Sequence, residues 1–259
     1  MGSSGLAGMT FVITGAAQGI GAATARMAAA RGANVVVADI DDAAGTATVE
    51  SVVAAGGSAV YQRCDVTDAE QVQELMRVAS EAFGGIDVLH NNAGIHDTML
   101  GVPLSVEEMP LDAWDRVIAV NLRGSWLCAK FAVRYLKESR RGPSIINAGS
   151  TASWIGGPSS LAYGASKGGI AILTKSLAVD LARYGIRVNC YCPSATETRM
   201  LGEFVERVRV QPQTQLVDRI GQPDDIAHLV CFLASEEAAY VNGAVWLIDG
   251  GSLAWRGTA

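Results

Sequence analysis

Met9-Thr10-Phe11-Val12-Ile13-Thr14, running straight into Gly15-Ala16-Ala17-Gln18-Gly19-Ile20-Gly21, is where the fold is decided. The first six residues are short, apolar and β-rich. The next seven carry three glycines spaced Gly-x-x-x-Gly-x-Gly. A helical pattern follows from Ile20 to Arg31 and is closed by Gly32. Strand, glycine turn and helix, in that order, make the setting of a phosphate-binding turn. Glycine lets the backbone approach a pyrophosphate, and the helix N-terminus offers free N–H groups at its positive dipole end. A turn kept only for tight packing is the alternative reading.

Working outward, Asn34 to Asp39 reads as a second strand, ending in an acid 18 residues after Gly21. An acid about 20 residues beyond such a turn binds the adenosine ribose of NAD and repels the extra phosphate of NADP. Asp39 could instead cap the following helix, a task that Asp41 or Asp42 could also perform. Strands are expected at Ala59–Cys64, Ile86–His90, Ser144–Gly149, Ile186–Cys192 and Gly243–Ile248. Between them lie helical patterns: one with Val72, Leu75, Met76, Ala79 and Phe83 in register, a long one from Asp112 to Arg140, and others ending near Tyr184 and Ala234. His90, inside a strand, reads as a core histidine. Asn121 is a poor interior helix residue, so a kink near Gly124 or a polar task is expected there. Asn91 and Asn92 close a strand and suit either a cofactor floor or loop-to-loop hydrogen bonds. Alternating strands and helices give one doubly wound α/β domain over residues 1–259. Residues 1–7 read as a flexible N-terminus. The amphipathic stretch at about 196–220, interrupted by Pro212, reads as a substrate lid.

Composition narrows the function. The chain has 259 residues, 49% apolar and 18% charged, with a net charge of −6. That balance argues against a nucleic-acid surface. The longest apolar runs are too short to cross a membrane, and the N-terminus lacks the pattern of a signal peptide. Five cysteines without a Cys-x-x-Cys pair read as reduced thiols of a cytoplasmic protein, with no metal site.

One further stretch carries chemistry. Ser150 ends the fifth strand, and Tyr163 and Lys167 stand four apart on the helix that follows. That spacing puts both side chains on one helix face. An ammonium beside a phenol favours phenolate, which would lower the tyrosine pKa from about 10 and make it a proton-transfer group.

Taken together, Thr14-Gly15-x-x-x-Gly19-Ile20-Gly21, Asp39, Asp65-Val66, Asn91-Asn92-Ala93-Gly94, Asn121, Ser150, Tyr163-x-x-x-Lys167 and the Pro193–Thr198 segment resemble the short-chain dehydrogenase/reductase family, over nearly the whole chain. The resemblance implies a Rossmann-type fold with a seven-stranded parallel sheet, order 3-2-1-4-5-6-7, and helices on both faces. It implies Asn121, Ser150, Tyr163 and Lys167 as the catalytic set, Asn121 supporting a water relay from Lys167. It implies NAD, held by Gly15, Gln18, Gly19, Ile20, Gly21, Asp39, Ile40, Asp65, Val66, Asn92, Tyr163, Lys167, Pro193, Thr196 and Thr198. It also implies a homotetramer or homodimer, with contacts through the helices bearing Asn121 and Tyr163 and through the last strand. Two positions depart from the family pattern: Ser194 stands where glycine is frequent, and Gly149 where serine is common.

The expected reaction interconverts a secondary alcohol and a ketone. The expected pocket, His96, Ala152, Trp154, Pro158, Met200, Leu201 and Phe204, is largely apolar and points to an alicyclic or steroid-like substrate, although Trp154 fits a core or interface position equally well. A 3-oxoacyl-carrier-protein reductase, a sugar or polyol dehydrogenase and a non-catalytic nucleotide sensor are the alternatives.

Overall fold

The computed structural model describes residues 5–157, 159–202 and 215–254. Seven parallel strands form one sheet in the order β3-β2-β1-β4-β5-β6-β7. They are β1 (Thr10–Thr14), β2 (Asn34–Asp39), β3 (Ser58–Arg63), β4 (Val88–Asn91), β5 (Ser144–Ala148), β6 (Arg187–Pro193) and β7 (Val245–Ile248). The central strands are buried on both faces, which is why they read as continuous Val/Ile runs without alternation. One face packs on α1 (Gly19–Ala30) and α7 (Pro223–Ala234), through residues such as Ala25, Ala28, Ile226 and Val230. The opposite face carries α3 (Ala69–Phe83), α5 (Gly124–Leu136) and α6 (Leu161–Leu181), through residues such as Leu75, Leu127 and Leu181. Strand order reverses between β1 and β4, and a crevice opens at the strand carboxyl ends there, where open α/β sheets take their ligands.

Local chemistry sets the helix ends. Asp41 caps α2 (Asp42–Ala54) by accepting the Ala44 N–H at 3.1 Å, so Asp39 is not the cap. Asp68 caps α3 by accepting the Glu70 and Gln71 N–H groups, and Gly84 ends it in a left-handed conformation. Between α4 (Leu111–Ile118) and α5 a π-helical turn, Ala119–Arg123, holds Asn121. The irregularity expected there is this π turn, just upstream of Gly124, and Asn121 has a polar task in it. The helix expected to reach Arg140 ends at Leu136.

One expectation about the chain ends changes. Leu6 is buried in the core and Met9 N–H donates to its carbonyl, so residues 5–7 are not a loose end. Of the expected lid, 203–214, with Phe204 and Pro212, lies outside the described residues, as does Pro158. The described part of that segment is anchored: Thr196 bridges Gly221, and Glu197 N–H donates to the Gly221 carbonyl at 2.8 Å.

Candidate active site

The glycine turn is both tight and open. Gly15 has φ +64°, and a Cβ there would lie 2.7 Å from the Ala93 Cα, so only glycine fits against the β4 loop. A Cβ on Gly21 would meet the Gly15 carbonyl at 2.3 Å, which makes Gly21 a packing glycine between turn and helix. Gln18 precedes α1 without a side-chain cap, leaving first-turn N–H groups to face the crevice. Asn92 Nδ2 donates to the Thr14 and Gly15 carbonyls at 3.0 and 2.8 Å, and so fastens the β4 loop to the turn. Behind it the Tyr191 hydroxyl donates to Asn92 Oδ1 at 3.2 Å and lies 2.9 Å from His90 Nε2. At the far end, Asp39 Oδ2 accepts the Ala17 N–H at 2.9 Å and Oδ1 the Asp41 N–H at 3.1 Å. The neighbouring Arg63 donates to the Ile40 carbonyl at 2.6 Å and pairs with Asp42 at 3.0 Å.

The other end gathers the chemistry-bearing side chains. Ser150 Oγ accepts the Ala152 N–H at 3.1 Å, and its own N–H donates to Ser153 Oγ. Ser153 in turn donates to the Lys167 carbonyl at 2.8 Å, tying the loop after β5 to α6. Lys167 is buried; its Nζ donates to the Ala148 carbonyl at 2.8 Å and sits 5.6 Å from the Tyr163 ring centre. Asn121 makes its hydrogen bonds to other groups. Its amide brackets Ile95, accepting the N–H and donating to the carbonyl, both at 2.9 Å, and also donates to Ser166 Oγ at 3.0 Å.

The electrostatics revise one expectation. Tyr163 is shifted up from its ordinary value, not down: burial is the main cause, and the Ser150 hydroxyl only partly offsets it. Burial also pulls Lys167 down to about 8. Its ammonium, engaged with the Ala148 carbonyl, does not overcome the phenol's desolvation in the protein alone.

A cavity of about 920 Å³ joins both ends. Gln18, Ile20, Asp39, Ile40, Asp65 and Val66 line it toward the glycine turn. Asn92, Ser150, Tyr163, Lys167, Pro193, Thr196 and Thr198 line it further along, with His96, Ala152, Met200 and Leu201 among its walls. Gly21 and Asn121 stand behind the wall. Trp154 is not part of it: it is 53% exposed beyond the short turn Thr151–Ser153, and its indole contacts the Cys192 thiol. The departure at Gly149 has a steric reason, since a Cβ there would lie 2.6 Å from the Cys192 sulfur and 2.7 Å from that of Cys190.

Sequence reasoning missed Ser153, Asp97 and Tyr191. Asp97 is wholly buried and accepts the Ala162 and Tyr163 N–H groups at 3.1 and 2.8 Å. Nothing in the mixed loop around it distinguishes it from a solvated acid. Tyr191 lies in an apolar strand, where a tyrosine reads as core.

The cavity residues fit a dinucleotide. Gly15 and Gly19 form a cradle that side chains would fill, a Cβ on Gly19 approaching Thr198 to 3.2 Å, and the Asp39 carboxylate stands at the edge of the turn.

Comparison with known proteins finds relatives over nearly the whole chain. Residues 15–252 match a family model described as enoyl-(acyl carrier protein) reductase. The chain is 41% identical over 241 residues to a cis-4-hydroxycyclohexanecarboxylate dehydrogenase of Sinomonas cyclohexanicum, covering 93% of this chain and 94% of that one. It is 40% identical over 255 residues to tropinone reductase-like 2 of Erythroxylum coca, covering 95% and 90%. The crystal structure of a dehydrogenase/reductase from Sinorhizobium meliloti 1021 superposes with a TM-score of 0.88 at 38% identity, covering 96% of this chain and 97% of that one.

Proposed function

The chain belongs to the short-chain dehydrogenase/reductase family and is an oxidoreductase acting on CH–OH groups, and we propose that it is an NAD-dependent dehydrogenase of a hydrophobic, alicyclic or steroid-like secondary alcohol. The observation that carries this reading is the shared cavity: Ser150, Tyr163 and Lys167 on one wall, the glycine turn and Asp39 at its other end. NAD is favoured because Asp39 would repel a 2′-phosphate and the nearby Arg63 is already engaged with Asp42 and the Ile40 carbonyl.

When bound, the nicotinamide supplies the two-electron redox chemistry and, oxidised, a positive charge. Tyr163 then takes the hydroxyl proton of the alcohol in oxidation and returns it to the ketone oxygen in reduction. Ser150 orients that oxygen. Lys167, charged below about pH 8, would hold the nicotinamide ribose and, together with the positive charge of the oxidised ring, would favour phenolate at Tyr163. Asn121 fixes Ile95 and Gly94 beside Lys167 and supports a proton relay from the lysine to water. Apolar residues such as Met99, Ile155, Met200 and Leu201 keep water from the reacting carbon.

The substrate of the Sinomonas relative, as named, is an alicyclic alcohol, which supports the ring-shaped reading. That substrate also bears a carboxylate, and Arg199 on the cavity rim is the group an acid-bearing ring would reach. The test is turnover of cyclic and steroidal alcohols and ketones, with and without a carboxylate, using NAD(H) against NADP(H). Tyr163→Phe should bind NAD and lose about 10²–10⁴-fold in turnover. Near-normal turnover in that variant, or a preference for NADPH with acyl thioesters, would defeat the proposal.

A further inference from the structure

We infer that Asp97 is a positioning residue for this reaction: from the loop after β4 it grips the peptide N–H of Tyr163 itself and fixes where the phenol stands. This rests on the reading of Tyr163 as the proton-transferring group. Asp97 is 0% exposed. Its Oδ1 accepts the Tyr163 N–H at 2.8 Å and its Oδ2 the Ala162 N–H at 3.1 Å, across 66 and 65 residues of chain. These are first-turn amides of α6, at the positive end of the helix dipole. Ser160, at the usual capping position, makes no side-chain cap to the helix. The cap is therefore supplied from another element.

The rest of the loop grips the same target. Asn121 brackets Ile95 on both its N–H and its carbonyl. The His96 ring lies 4.5 Å from the Tyr163 ring, centre to centre. Thr98 N–H donates to His96 Nδ1 at 3.2 Å, which leaves the proton of the neutral ring on Nε2, facing Ser160 Oγ at 3.3 Å. Burial lowers the His96 pKa, against the opposing pull of Asp97. Ile95, His96 and Asp97 thus form a strut from Asn121 to the backbone and ring of Tyr163. A buried carboxylate is costly unless its lone pairs are used, and a serine cap on α6 would have avoided that cost. What the serine cannot supply is a fixed negative charge and a rigid tie to the cofactor-side loop.

The charge gives a readout that a purely structural cap would not move. The groups facing Tyr163 are Lys167 on its own helix, Ser150 after β5, Tyr191 and Cys192 on β6, and His96 and Asp97 from the β4 loop. After burial, which is the largest cause, Cys192 and Asp97 raise the phenol's pKa, while Ser150 lowers it. Replacing Asp97 by an uncharged residue therefore favours phenolate, and the acid limb of the oxidation profile must move to lower pH.

The experiment compares wild type, Asp97→Asn and Tyr163→Phe. Asp97→Asn keeps the shape but turns an amide N–H toward one of the two backbone donors. In the cofactor-free protein, hydrogen exchange at the Ala162 and Tyr163 amides should accelerate. With NAD, the KM for cofactor should hold while kcat falls about tenfold or more, as expected for a misplaced reacting group, and the acid limb should shift downward. If Asp97→Asn does not fold, Asp97→Ser is held to the same readouts. Inactive Tyr163→Phe alongside an Asp97 variant with wild-type kcat, profile and amide protection would overturn the Asp97 proposal alone. Cofactor binding lost in step with turnover would mark a general folding role and overturn it too. An active Tyr163→Phe would instead bring down the reaction reading, and the proposal with it.

Discussion

His90 lies fully buried on β4, with Nε2 2.9 Å from the Tyr191 hydroxyl and no hydrogen-bond partner for Nδ1. Burial lowers its pKa from 6.5 to about 3. In the folded protein it is therefore neutral at pH values where the unfolded chain takes up a proton. The stability it supports is complete above pH 6.5 and is lost as pH falls from there toward about 3. Each pH unit within that window costs about 1.4 kcal/mol from this group. His90→Gln keeps a polar contact for Tyr191 but cannot titrate. Its melting temperature should therefore fall less steeply than wild type between pH 6.5 and 4. Parallel curves would remove His90 as the acid-sensitive group. The stakes are functional, because the same histidine supports Tyr191, which orients Asn92 against the glycine turn.

The connection from α4 to α5 shows the same dependence at the level of an element. Its π turn, Ala119–Arg123, turns Asn121 inward, where three hydrogen bonds to Ile95 and Ser166 hold the β4 loop. Asn121→Ala would leave the Ile95 N–H and carbonyl without these partners. Ile95 is only half-buried, so the loss falls at the low end of the about 1–3 kcal/mol cost of an unpaired buried group; the urea midpoint should drop by that free energy divided by the slope, with the slope unchanged. A wild-type midpoint would show that the π turn alone fixes the loop. The polar anomaly of Asn121 made an irregularity legible in the sequence; its π-helical type was not, because the apolar pattern runs on through it. Strand β2 was legible to the residue from its Val run, and helix α7 at its end, Ala234. Motif-borne positions such as Ser150, Tyr163 and Asp39 fell on the cavity because short local patterns fix them. Trp154 did not, because whether a turn residue points into or away from a cavity depends on β6, some 38 residues on. Asp97 was invisible for the same reason: the amides that make its burial tolerable are supplied by α6.

At the scale of the whole molecule, the exposed apolar surface is unevenly distributed. β3, at one edge of the sheet, ends in Gln62 and Arg63, polar residues that discourage pairing. β7, at the other edge, reads Val245-Trp246-Leu247-Ile248, with Trp246 37% and Leu247 43% exposed. On the α4–α6 side, Trp114, Trp126, Ile172 and Val179 are exposed, the last two seven apart and so on one face of α6. Large apolar side chains grouped on one face mark protein contact sites. Two separate faces, each meeting its own copy across a two-fold axis, build a closed tetramer, and a homotetramer is our proposal for the assembly. Light scattering should then return about four times the 27.0 kDa chain mass. Ile172→Glu combined with Val179→Glu places charge on the α6 face alone, far along the helix from Tyr163. That variant should fall to a dimer through the surviving β7 contact while still binding NAD. A wild-type monomer would sink the assembly outright. A double variant that stays tetrameric would move the second interface off α6, leaving Ile172 and Val179 as surface residues without a partner.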